Sequence, residues 1–136
     1  SCVIAWLLMD ETVSRQATGL RADIETGRLG AFTAAPFDFE IRSGLVRAAR
    51  RQRIAWGRIA DELAATTRIR FGVVEPPLEG RLMEICREFG LGWADAHWAE
   101  LAIRLQLPLV TADQRMVRTL ADALIWVEWL GDRPTK

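Results

Sequence analysis

No apolar run in this chain approaches the roughly 20 residues that a membrane-crossing helix needs, because charges interrupt every candidate segment, and no signal-peptide pattern is present. A cytoplasmic protein with no membrane role is therefore expected. Cysteine is scarce too: Cys2 and Cys86 show no C-x-x-C spacing and have no histidine cluster beside them. Structural zinc and a disulfide scaffold are both poorly supported, and the two thiols read as small core residues. Lysine is reduced to Lys136, histidine to His97, and the formal net charge is +0. Nothing pulls the whole chain toward nucleic acid, so any phosphate recognition must be local and built on arginine.

What is present describes an ordinary globular domain. With 136 residues, 50% of them apolar and 26% charged, the chain can bury a core without metal or disulfides. One domain spanning residues 1–136 is expected, without repeats or linkers. The chain opens at Ser1 rather than methionine, directly in the apolar stretch Cys2-Val3-Ile4-Ala5-Trp6-Leu7-Leu8. Further residues are expected upstream.

Apolar spacing places an amphipathic helix at Val13 to Arg28, where Val13, Ala17, Leu20, Ile24 and Leu29 recur near helical period and Gly30 follows as a stop. Ala31 to Ala34 is a short extended candidate, and Pro36 suits a first helical turn. Helical residues continue over Phe39 to Gln52, Ile54 to Ala65, Leu78 to Phe89, Trp93 to Leu105 and Met116 to Ala121. Strands are expected at Ile69 to Val74, which ends at Glu75-Pro76-Pro77, at Pro108 to Thr111, and at Leu124 to Val127. Helices alternating with short apolar strands imply an α/β fold with a parallel sheet covered on both faces.

In such sheets functional groups gather beyond the carboxyl ends of the strands. Asp113 lies there, two residues after Thr111, whose hydroxyl offers a neighbouring hydrogen-bonding group. Taken alone, Asp113 reads more readily as the cap of the next helix. Asp95 sits in the apolar helix start Gly92-Trp93-Ala94-Asp95-Ala96, where an unpaired carboxylate is costly unless a helix dipole or a cation compensates it. Glu40, between Phe39 and Ile41, poses the same question or is an exposed first-turn acid. Three carboxylates brought together would repel one another unless a cation neutralised them, and oxygen-only ligands select Mg²⁺ or Mn²⁺. Their separation in sequence leaves convergence to the fold.

The order of these landmarks resembles the PIN domain family. Ser1 to Leu8 followed by Asp10-Glu11 resembles the family's opening strand, and Phe39-Glu40-Ile41-Arg42-Ser43-Gly44-Leu45 resembles the helix bearing its second acid, with Ser43 where asparagine is frequent. Trp93-Ala94-Asp95-Ala96 leading to Leu101-Ala102 resembles the third-acid helix, and Leu109-Val110-Thr111-Ala112-Asp113 the fourth-acid strand end. The resemblance implies a three-layer α/β/α fold with a central, mostly parallel sheet, and a Mg²⁺- or Mn²⁺-dependent endoribonuclease. It implies Glu40, Asp95 and Asp113 as catalytic metal-binding acids, with Ser1, Ser43 and Thr111 in support. It also implies the VapC-like toxin of a toxin–antitoxin pair, with an RNA substrate, a small antitoxin protein as partner, and a homodimer. The family's first acid would fall two residues before Ser1, so this chain is expected to lack the start of its first strand and to gain activity when that start is restored.

Arg47, Arg50, Arg51 and Arg53 form the densest basic stretch and could hold RNA phosphates or the carboxylates of a partner, or form a solvated face. His97, two residues beyond Asp95, is turned to another side of its helix and is not expected to act as a general base. Trp93, Trp98, Trp126 and Trp129 are expected in the core or in subunit contacts. A receiver domain would share the alternation of helices and strands and the acids, but needs a lysine near its aspartate, and only Lys136 exists. The stronger rival is a catalytically impaired PIN-like module that binds RNA or protein.

Overall fold

A computed structural model describes residue 8, residues 12–123 and residues 126–135. Its first helix, α1, covers Ser14–Glu25 and buries Ala17 and Leu20 beneath Val13, the spacing that puts one stripe on the core. The second, α2, covers Phe37–Arg50, two residues earlier than the expected start at Phe39. Pro36 precedes it at φ −68°, the angle its ring imposes, and gives up no backbone N–H that the first turn would use. The helix buries Ile41, Leu45, Ala48 and Ala49. Asp38 and Glu40 in its first turn and Arg47 and Arg50 in its last complement the helix dipole.

The expected helix from Ile54 begins later: Trp56–Arg58 forms a 3₁₀ turn and α3 then covers Ile59–Thr67. Next come α4 at Glu79–Phe89 and α5 at Trp93–Leu105. Strand β1 is Leu109–Thr111, α6 is Gln114–Leu120 and β2 is Val127–Trp129. The two strands are parallel, pairing Leu109 with Val127, Val110 with Glu128 and Thr111 with Trp129. The last strand therefore shares Val127 with the expected Leu124 to Val127 and runs on to Trp129, while Leu124 and Ile125 are outside the described residues.

The expected strands at Ala31 to Ala34 and Ile69 to Val74 shrink to a single parallel bridge between Phe32 and Gly72, closed by the Gly72 N–H donating to the Ala31 carbonyl at 2.8 Å. The Phe32 ring lies over Gly72 so closely that a Cβ there would collide with it. Val73 is 98% exposed, so the pattern that suggested a longer strand has no second layer to face there.

Sheet residues divide between two apolar clusters. Leu109 and Val127 pack with Leu82, Ile85, Ala96, Ala99, Met116 and Leu120 from α4, α5 and α6. Val110 and Trp129 pack with Val13, Ala17, Leu20, Ile41 and Leu45 from α1 and α2. Helices thus cover both faces of a small parallel sheet, the three-layer α/β/α arrangement. Cys86 is half-buried against the first of these clusters, and Cys2 lies outside the described residues. Trp98 and Trp129 are partly buried as expected, whereas Trp93 is 48% and Trp126 65% exposed. No helix among the described residues is long and apolar enough to cross a membrane.

Two helices close on a left-handed glutamine. At the end of α5, Gln106 has φ +53°, its N–H donates to the Ile103 carbonyl at 3.2 Å, and the Leu107 N–H donates to the Ala102 carbonyl at 3.1 Å. Gln52 repeats this after α2 at φ +59°. Both are Schellman closures, in which glycine avoids the Cβ strain that any other residue carries. Gln106→Gly is expected to raise stability by about 0.5–1 kcal/mol, read as a higher urea midpoint with unchanged slope. A lower midpoint would show that the glutamine side chain is itself holding the turn.

Candidate functional site

The site is assembled from the first turns of α2 and α5. Trp98 packs edge-on against Phe37 with ring centroids 6.3 Å apart, and Phe37 in turn meets Phe71 at 5.0 Å. This aromatic wall half-buries the indole, whose N–H then needs an acceptor. It donates to Glu40 Oε2 at 3.2 Å, joining residues 58 positions apart. Burial pushes the Glu40 carboxyl above its ordinary range, and the indole bond partly opposes that rise. The Asp95 carboxylate raises it further, while the Arg47 guanidinium lowers it. Asp95 is therefore near enough for its charge to act on the Glu40 carboxyl, which brings two acids from different helices to one region of the molecule.

Asp95 is half-buried in the first turn of α5, three residues before Trp98 and so on the same side of the helix. Asp113 follows β1 and is the N-cap of α6: its Oδ1 accepts from the Arg115 N–H at 2.8 Å and from the Met116 N–H at 3.3 Å. Buried Thr111 braces this turn, its hydroxyl accepting from the Asp113 N–H at 3.1 Å. Ser43 is half-buried one turn along α2 from Glu40, and Ser1 lies outside the described residues.

Two oxygen donors of like charge, one of them partly desolvated, suit a hard divalent cation, which would relieve their repulsion. Among the described residues, however, no group of three or more acidic, histidine or cysteine side chains is placed to hold a metal ion. Of the three expected acids, Glu40 and Asp95 are the two whose charges are seen to meet, at the Glu40 carboxyl. Asp113 has one oxygen held at the helix end by the backbone donors of α6.

His97 does face elsewhere. Its Nδ1–H donates to the Trp93 carbonyl at 2.8 Å, and its ring lines a separate cleft of about 360 Å³ with Asp38, Glu100 and Arg104. In that wall the buried Glu100 carboxylate accepts from Arg104 Nε at 2.8 Å and Nη2 at 3.2 Å. The Arg104 Nη2 also donates to the Glu75 carbonyl at 2.9 Å, tying α5 to the loop before α4.

The sequence reading missed Trp98 as the residue that holds Glu40. The signal was there: an indole on a mostly buried face must find an acceptor, and it shares a helix side with Asp95. Its partner, on another helix, could not be named from spacing.

The PIN domain family profile matches residues 1–122, a span that contains Glu40, Asp95 and Asp113. No curated protein and no solved structure matches the chain. PIN domains are generally nucleases and typically depend on divalent metal ions. With the match running from the opening stretch through α6, and helices covering both faces of a parallel sheet, the chain belongs to the PIN domain family.

Proposed function

We propose that this protein is a divalent-metal-dependent endoribonuclease that hydrolyses RNA phosphodiesters, acting as the toxin of a toxin–antitoxin pair. The observation that carries the reading is the Glu40 carboxylate, partly desolvated, tied to α5 by the Trp98 indole and raised by the charge of Asp95 on that same helix. Such a carboxylate is costly in a purely structural role and useful in a cation seat. Glu40 and Asp95 would hold Mg²⁺ or Mn²⁺, with Asp113 assigned to the same site from the end of β1. When bound, the ion supplies charge neutralisation and polarises the phosphodiester.

The chain's own residues do the rest. Trp98 keeps one Glu40 oxygen turned toward the indole and fixes the carboxylate's rotamer. Thr111 and the α6 backbone orient Asp113. In the hydrolysis itself a water oxygen bonds to phosphorus, the bridging ester bond breaks, and a proton ends on the departing oxygen. The toxin assignment, the small antitoxin partner and a homodimer rest on family likeness and modest size. They are tested by whether co-expression with the product of a neighbouring short gene relieves growth arrest.

The other reading the family likeness leaves open is a PIN-like module that binds RNA or protein without cleaving it. A single assay separates the two. The protein is incubated with labelled single-stranded RNA in Mg²⁺, in Mn²⁺ and in chelator. Cleavage that requires the ion supports the enzyme, and binding without turnover in every condition supports the module.

A further inference from the structure

The two flanks of α2 differ in a way that helix stability does not require. On one flank Arg42 pairs with Asp38 at 3.5 Å and donates to the Asp38 carbonyl at 3.0 Å. On the other, Glu40, Ser43, Arg47 and Arg50 follow one another at i, i+3, i+7 and i+10, the spacing of a single stripe along a helix. Arg47 and Arg50 are exposed, as is Arg51 just past the helix end. Among the described residues none of these three is in an ion pair, although Arg21, Arg28, Arg42, Arg58, Arg81, Arg104 and Arg133 all are. The helix dipole explains cations in a last turn. It does not explain their alignment with Glu40, the carboxyl that the Arg47 guanidinium holds down.

We infer that this stripe of α2 is a phosphate track, along which Arg47 and Arg50 carry the backbone of a single-stranded RNA away from the Glu40–Asp95 pair. The inference rests on the nuclease reading for what happens at the head of the track, but not for the binding itself. Arg47 and Arg50 lie about 10 and 15 Å along the helix axis from Glu40, a length that about two or three nucleotides of an extended strand span. Guanidinium groups suit phosphate oxygens because they offer forked, permanently charged donors. Ser43, between the acid and the arginines, adds a hydroxyl at the point where the strand would pass. The polarity has a functional consequence. The track attracts the backbone while the acid pair repels it, so a phosphate settles at the head of the track only when a cation neutralises Glu40 and Asp95.

The test uses fluorescence anisotropy with a labelled single-stranded RNA hexamer, in Mg²⁺, on the Asp95→Asn protein so that turnover does not interfere. Arg47→Ala with Arg50→Ala is expected to weaken binding about tenfold at low salt, and to lower the slope of log affinity against log salt by about 1.4, the share of two phosphate contacts on a single strand. Arg47→Lys with Arg50→Lys should keep the slope and most of the affinity, and Arg87→Ala, on α4, should change neither. Equal melting temperatures exclude misfolding, and Arg47→Gln with Arg50→Gln, expected to lose the same affinity and slope, decides the matter if the alanine pair does not fold. Unchanged affinity and slope in the alanine pair would overturn the track, even if the unmodified protein cleaves RNA. Unchanged RNA binding together with lost binding of an oligoglutamate peptide would reassign the stripe to an acidic protein partner, and so also overturns it. If no form cleaves RNA yet the alanine pair loses affinity and slope, the track stands and the nuclease reading fails.

Discussion

Replacing Asp95 with asparagine is expected to lower metal-dependent RNA cleavage on the order of 10²–10³-fold, the scale of removing one group that stabilises charge in a transition state. The substitution keeps the shape of a half-buried side chain in the first turn of α5. It removes one anion of the pair that would seat the cation. Two effects on folding oppose each other. The helix dipole loses a favourable charge, worth about 0.3–1 kcal/mol. Glu40 loses the repulsion that helps raise its carboxyl above the ordinary range. The melting temperature should therefore move little, and the loss of activity should appear in single-turnover rates at saturating Mn²⁺. Full activity in the asparagine protein would remove Asp95 from the metal site and leave the pair as an electrostatic oddity of the core.

How far the sequence could be read depended on whether a feature was local. Helices α1, α4 and α5 followed from apolar spacing, because their burying faces repeat within a few residues. The parallel pairing of β1 with a C-terminal strand was also legible, since a short apolar strand after each helix admits few other arrangements. The strand at Ile69 to Val74 was overread. Its alternation is real, but Gly72 gives no side chain to pack and Val73 faces solvent, so only the Phe32 bridge forms. At the candidate site, the residue types and their order pointed to Glu40, Asp95 and Asp113. Which of them meet depends on helix packing, and the indole bond from Trp98 to Glu40 crosses 58 positions that no local pattern connects. Asp113 shows the opposite limit, because its capping role was fully legible and says nothing about where its second oxygen points.

Glu40→Gln should separate function from stability more sharply than any other single change. A glutamine carbonyl oxygen can still accept from the Trp98 indole, so the packing of α2 on α5 survives. The charge does not, and cleavage should fall on the order of 10²–10³-fold, as for Asp95→Asn. Stability should move the other way. A carboxyl raised in the folded protein above its unfolded value of 4.5 costs nothing when both states are protonated at low pH. As pH rises through 4.5 and then through the raised folded value, the unfolded chain ionises more readily, and the wild-type protein loses stability. In chelator at neutral pH, the glutamine protein should melt at a temperature at least as high as wild type, and the difference should vanish in acid below that range. Trp98→Phe makes the complementary cut. It keeps the aromatic packing on Phe37 but withdraws the donor from Glu40, and should cost about tenfold in activity, the low end of what losing a group that orients a metal ligand costs. A glutamine protein that melts well below wild type at neutral pH would show that the Glu40 charge stabilises the fold, and the pair would then lose its standing as a strained cation seat.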